Sequence, residues 1–207
     1  MAQIVCKNLA VGYGNTVVKS NINFNVEKGD YLCIIGENGC GKSTLMKTIL
    51  GLENANDGEI VFSDDIKKNE IGYLPQQTQL QRDFPASVSE VVMSGFLNRN
   101  GPRPFYTKKQ KAEFKNVMTN LNIQELEKRC YRELSGGQQQ KVLLARALCA
   151  TDKILLLDEP VAALDPKASE DFYNLLAQIN SNGTTVIMIS HDVNEAVKYA
   201  TKILCLN

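Results

Sequence analysis

The run Gly36-Glu37-Asn38-Gly39-Cys40-Gly41-Lys42-Ser43-Thr44 has the glycine spacing and the Lys-Ser-Thr ending that hold a polyphosphate. Gly36, Gly39 and Gly41 permit backbone angles and close approaches that side chains would block. Consecutive N–H groups can then turn inward on phosphate oxygens at the start of a helix, where the dipole favours an anion. Lys42 would set a cation on the outer phosphates, and Ser43 would offer its hydroxyl to Mg²⁺. An apolar run, Tyr31-Leu32-Cys33-Ile34-Ile35, precedes this loop and reads as a buried parallel strand.

Three further groups fit the same chemistry. Asp158 and Glu159 follow the apolar run Ile154–Leu157. Acids there stand at the C-terminal end of a buried strand, the edge of a parallel sheet where ligands bind. Asp158 suits Mg²⁺ ligation, and Glu159 can orient or deprotonate an attacking water. His191, the only histidine, follows the apolar strand Thr185–Ile189 and comes to the same edge. Leu134-Ser135-Gly136-Gly137-Gln138 opens a helix striped with Val142, Leu143, Ala145 and Leu148. Ser135 can cap that helix. Two glycines in a first turn destabilise it by about 1 kcal/mol each relative to alanine. An anion held against bare N–H groups is a reason to keep them, so the chain has a second expected anion site.

Taken in chain order, with Gln76 between the first and second, these motifs resemble the ATP-binding cassette (ABC) ATPases. The likeness runs over essentially the whole chain, with a helical insertion between Gln76 and Leu134. It implies roles that the residues alone do not give. Gln76, after Tyr73-Leu74-Pro75, would reach Mg²⁺ and water, with Gln77 as a substitute. Tyr13 would stack on adenine, though an isolated tyrosine could equally be core. The backbone and side chains of Gly36, Asn38, Gly39, Cys40, Gly41, Lys42, Ser43 and Thr44 would cradle ATP. Ser135, Gly136, Gly137 and Gln138 would meet the γ-phosphate held by a facing copy, and Asp165, in Ala163-Leu164-Asp165, would contact that copy. Two chains would thus close head to tail on two ATP molecules. His191 would be the switch histidine at the γ-phosphate, and Lys42, Gln76, Glu159 and His191 the catalytic set. Ser43, Gln76 and Asp158 would hold Mg²⁺.

The segment 83–95, from Asp83-Phe84-Pro85-Ala86 to Met93-Ser94-Gly95, is similar to that of zinc and manganese importers. The resemblance therefore implies an ATPase subunit energising a separate transmembrane permease, fed by an extracytoplasmic substrate-binding protein. It would sit on the cytoplasmic face of the membrane and be soluble when isolated. Siderophore, haem and cobalamin importers, or an iron–sulfur-assembly ATPase, are the alternatives.

The elements expected to carry these groups are α/β. The resemblance implies a single phosphate-loop domain over 1–207 with a mostly parallel sheet. An antiparallel β-subdomain is expected near 1–30 and 58–75, where alternation and the turns Val11-Gly12-Tyr13-Gly14 and Lys28-Gly29-Asp30 occur. A helical subdomain is expected near 80–150. There Ser87-Val88-Ser89-Glu90 has capping-box spacing, and Phe114, Val117, Met118 and Leu121 recur at helical intervals. Lys108, Lys109 and Lys111 read as a solvated face. Asp165-Pro166 should start a helix buried through Phe172, Leu175, Leu176 and Ile179. The 207 residues carry 23 basic and 23 acidic side chains, so no basic stripe invites nucleic acid. No apolar run is long enough to cross a bilayer. The six cysteines include no C-x-x-C pair and read as reduced, mostly small core residues.

Overall fold

The computed structural model describes residues 2–64, 66, 70–76, 83–100, 105–151 and 153–206. Gln77 lies outside them, as do 80–82 and 101–104 of the expected helical part.

Five strands form a parallel sheet in the order β5-β6-β7-β3-β8, where β3 is Tyr31–Gly36, β5 is Ile71–Leu74, β6 is Ile154–Asp158, β7 is Thr185–Ile189 and β8 is Lys202–Leu206. Every residue of β6 and β7 is buried. Their sequences are continuous apolar runs because both faces are covered. Alternate side chains serve two cores. Leu155, Leu157, Val186 and Met188 point into one, and Ile154, Leu156, Ile187 and Ile189 into the other.

The second core is closed by α1 (Lys42–Ile49) and by an antiparallel sheet in the order β2-β1-β4, with β1 at Ala2–Tyr13, β2 at Thr16–Glu27 and β4 at Asp57–Phe62. The expected antiparallel boundary at 58–75 is corrected here. Asp57–Phe62 pairs with β1, but Ile71–Leu74 pairs in parallel with β6, from Ile71↔Ile154 to Leu74↔Leu157. Four residues carry too little periodicity to separate an edge strand of one sheet from the other.

The first core is closed by helices: α2 (Val88–Met93), α3 (Leu97–Asn100), α4 (Lys108–Asn120), α5 (Gly136–Ala150), α6 (Pro166–Ser181) and α7 (Val193–Tyr199). Capping boxes start α2 at Ser87/Glu90, α4 at Thr107/Gln110 and α5 at Ser135/Gln138. Asp165 caps α6, its Oδ1 accepting from Ala168 N at 3.0 Å, with Pro166 in the first position. Phe172, Tyr173 and Leu176 are its buried residues, while Leu175 and Ile179 are partly buried. On α4, Phe114 and Met118 are buried, and Lys108, Lys109 and Lys111 are exposed. Arg99 ties the helical part together, donating from Nη1 to Glu113 Oε1 at 2.9 Å and to Cys149 O at 3.2 Å. Within 83–134, the strand-like pairing among the described residues is the bridge Ser87↔Cys130.

Of the cysteines, Cys6, Cys33 and Cys149 are buried, and burial pushes each thiol up to about 12. Cys40 and Cys130 are half-buried, and Cys205 is exposed rather than core.

Candidate nucleotide site

Because the sheet is parallel, four strands deliver their C-terminal ends to one edge. β3 leads into the glycine-rich loop, β5 ends before Gln76, β6 ends at Asp158 and Glu159, and β7 ends before His191.

The loop is closed tightly. A Cβ on Gly36 would stand 2.1 Å from Leu206 O, so only glycine passes beside β8. Gly41 is the N-cap of α1 with φ 99°, and no side chain caps that helix. Its first N–H groups are therefore open to an anion. Asn38 and Gly39 are exposed, and Cys40 is half-buried against the second core. Lys42 is only 5 % exposed, and its Nζ donates to Gly36 O at 2.8 Å and Glu37 O at 2.7 Å. In the ligand-free chain the ammonium is thus satisfied by carbonyls of the loop it follows.

Ser43 Oγ donates to Asp158 Oδ1 at 3.3 Å. Asp158 is 4 % exposed, and burial pushes its carboxyl above the usual carboxylate range. The Ser43 hydroxyl pulls it back down, and Glu159 pushes it further up. This hydroxyl and carboxylate supply hard oxygen donors, which suit a divalent cation such as Mg²⁺. Tyr13 is not core: it is 49 % exposed, accepts a hydrogen bond from Thr44 Oγ1 at 3.0 Å, and has Lys47 Nζ 5.8 Å from its ring centre. Its free face can take a planar base.

Glu159 is where three strand ends meet. Its Oε2 accepts from Gln76 Nε2 at 3.0 Å, and its Oε1 pairs with His191 Nε2. Its backbone is left-handed at φ 49°, and its N–H donates to Ile189 O at 3.2 Å. A left-handed residue with a Cβ costs about 1–3 kcal/mol and persists where its surroundings over-determine it. His191 is itself exposed, on a turn tied by Ser190. Asp192 N donates to Ser190 Oγ at 3.1 Å, and the hydroxyl of buried Tyr173 lies 3.4 Å from the same oxygen.

The start of α5 is not joined to this cluster by any hydrogen bond among the described residues. Ser135 and Gln138 bond reciprocally, Gln138 N to Ser135 Oγ at 3.4 Å and Ser135 N to Gln138 Oε1 at 3.1 Å. A Cβ on Gly136 would meet only Leu164 at 3.8 Å, and one on Gly137 only Ala168 at 3.6 Å. Both are ordinary contacts, so packing within the chain does not demand these glycines. They stand instead beside the Asp165 turn that begins α6. The sequence reading missed Gln140, Tyr173 and Ser190. They are buried polar groups whose partners lie far along the chain, where no local pattern points to them.

Fold and site together define a phosphate-loop nucleoside triphosphatase. The model of the family described as ABC transporter matches residues 19–162, and the chain belongs to that family. It binds and hydrolyses ATP, as the family's ATP-binding subunits do. The manganese transport system ATP-binding protein MntB of Bacillus subtilis (strain 168) is 39 % identical, with 100 % of this chain and 84 % of the relative aligned. The zinc import ATP-binding protein ZnuC of Wolbachia sp. subsp. Brugia malayi (strain TRS) is 34 % identical over 97 % of this chain and 78 % of its own. A nucleotide-free ATP-binding cassette from an ABC transporter superposes with a TM-score of 0.85 at 25 % identity, covering 100 % of this chain and 88 % of the other.

Proposed function

We propose that this chain drives import of a divalent metal ion, zinc or manganese, through a separate membrane permease. The observation that carries this reading is full-length similarity to ATPases named for manganese and zinc transport. Among the described residues no helix is long and apolar enough to cross a membrane. The surface offers an apolar groove of about 590 Å³ lined by Phe84, Val91, Tyr131, Leu143 and Arg146, next to Pro75 and hence to Gln76. Phe84 there is 55 % exposed. A short cytoplasmic helix of the permease fits such a groove.

The residue roles proposed here are those the family resemblance implies, and the geometry at the sheet edge supports them. Tyr13 stacks on adenine. ATP draws Lys42 from the loop carbonyls, and the open N–H groups of the loop take the phosphates. Ser43 and Asp158, with the Gln76 carbonyl, would hold Mg²⁺. The ion supplies neutralisation of the charge on the phosphate oxygens when bound. Water bonds to the γ-phosphorus, the bond to the ADP oxygen breaks, and the water's proton passes to Glu159. Gln76 and His191 each hold one Glu159 oxygen, so one of these bonds must open for that water. His191 orients the water and γ-phosphate. Leu134–Gln138 and Asp165 contact ATP and backbone of a second copy, arranged head to tail. An extracytoplasmic protein delivers the metal to the permease.

Glu159→Gln is expected to keep ATP affinity, to lower turnover by about 10²–10⁴-fold, and to accumulate an ATP-dependent dimer on gel filtration. Turnover near the wild-type rate removes Glu159 as the base. Deletion of the gene should lower cellular uptake of radioactive zinc or manganese; unchanged uptake of both defeats the metal reading.

A further inference from the structure

Two consecutive glutamines are buried in the second turn of α5, Gln139 at 4 % exposure and Gln140 at 3 %. Their amides grip different parts of the molecule. Gln139 Nε2 donates to Tyr131 O at 3.1 Å, on the helical side. Gln140 Nε2 donates to Pro160 O at 2.7 Å, in the turn that follows β6. Its orientation is fixed, because a carbonyl can only accept. Gln140 Oε1 has no hydrogen-bond partner among the described residues. A buried amide satisfied on one side is a poor choice for stability compared with an apolar side chain of the same length. What the Nε2 end holds is the better reason for a glutamine here.

Pro160 follows Glu159 directly, and its ring fixes φ. Holding its carbonyl therefore constrains the chain back to Glu159, whose left-handed backbone is pinned from the other side by Ile189 O. The helix that supplies the grip is the one that begins with Gly136 and Gly137. Gln140 lies about 6 Å along the axis from Gly136, little more than one turn of a rigid helix.

We propose that Gln140 is a positioning residue coupling the start of α5 to Glu159, so that phosphate docking at Leu134–Gln138 sets the base that serves the chain's own ATP. This rests on the reading that α5 meets the nucleotide of a second copy. Each site of the dimer then reports its occupancy to the other through one buried hydrogen bond. Hydrolysis becomes cooperative in ATP without a change in ATP affinity.

The test uses the full chain with Gln140→Met, which keeps length, and Gln140→Leu, which keeps an apolar body; both remove the Nε2 donor and offer no other. Thermal midpoint, affinity for a fluorescent ATP analogue, and turnover against ATP concentration are measured for each. The expected result is a folded protein with affinity within about twofold of wild type, kcat lower by about 10–100-fold with KM little changed, and a Hill coefficient below that of wild type. Wild-type kcat and Hill coefficient in a folded variant overturn the proposal, as does a wild-type coefficient of one. If both variants fail to fold, the role is structural and the proposal falls; if only one folds, that one decides. Glu159→Gln in the same assay separates the two readings. Retained turnover there means the base is misassigned, whereas an inactive Glu159→Gln beside normal Gln140 variants defeats only the coupling.

Discussion

Asp158 shows how the site trades stability for chemistry. Its carboxyl is buried and pushed above the ordinary range by that burial. A carboxyl whose folded pKa is raised stabilises the folded chain below that pKa, and the contribution is lost as pH rises through it. Asp158→Asn should therefore raise the midpoint of the ligand-free protein at neutral pH, where about 1 kcal/mol is worth about 2–4 °C for a domain of this size. It should also flatten the decline of stability that wild type shows as pH rises from the ordinary carboxylate range up to the raised pKa, and abolish Mg²⁺-dependent turnover. Scanning calorimetry between mildly acidic and neutral pH checks the first two. A midpoint below wild type at neutral pH would mean that the Ser43 hydrogen bond outweighs the burial of charge. Lys42, Ser43, Asp158 and Glu159 were legible because their spacing in sequence matches their spacing at the strand ends. Gln76 and His191 were legible only through the order of motifs, since a lone glutamine or histidine after a strand has no pattern of its own. Gln140, Tyr173 and Ser190 were not legible. Each acts through a partner 17 to 20 residues away, and no local period encodes that contact.

Elements were read best where their ends carry their own chemistry. Ser87/Glu90 and Asp165-Pro166 stop the chain from choosing another start, and both helices begin where that chemistry places them. The short strand Ile71–Leu74 has no such marker, and its sheet was misread. What places it is the close approach of α5, where a Cβ on Gly72 would stand 2.5 Å from Ala147 O. The same helix is approached on its other flank by Gly95, whose Cβ would meet Arg146 O at 2.1 Å. The obstacle is backbone and cannot swing aside. Gly95→Ala should cost about 1–3 kcal/mol, seen as a lower urea midpoint. Because the helical part would have to shift off α5, ATP-dependent dimer formation should weaken more than ATP binding by the isolated chain. Equal loss of both would place the damage in the core instead.

At the scale of the molecule, the sheet divides two tasks. One face packs on the antiparallel strands and α1, around the nucleotide loop; the other packs on the helices that present α5 and the apolar groove. Pro75 lines the groove at the sheet edge and Gln76 follows it with a hydrogen bond to Glu159, so a permease helix docked there as proposed would have a short route to Glu159. Phe84→Asp puts a charge in that groove far from the phosphates. It should leave ATP binding by the isolated chain unchanged while abolishing recovery of a membrane protein from detergent extracts. Undiminished recovery would place the docking surface elsewhere.

The strand order has a consequence for how the protein is made. β3, which launches the phosphate loop, lies between β7 and β8, and Gly36 rests against Leu206. The loop leaves the ribosome well before β7 and β8, which follow it after a delay of roughly 10–30 s at ordinary rates of synthesis. Until then the loop lacks both strands that flank β3 and the backbone that Gly36 rests against.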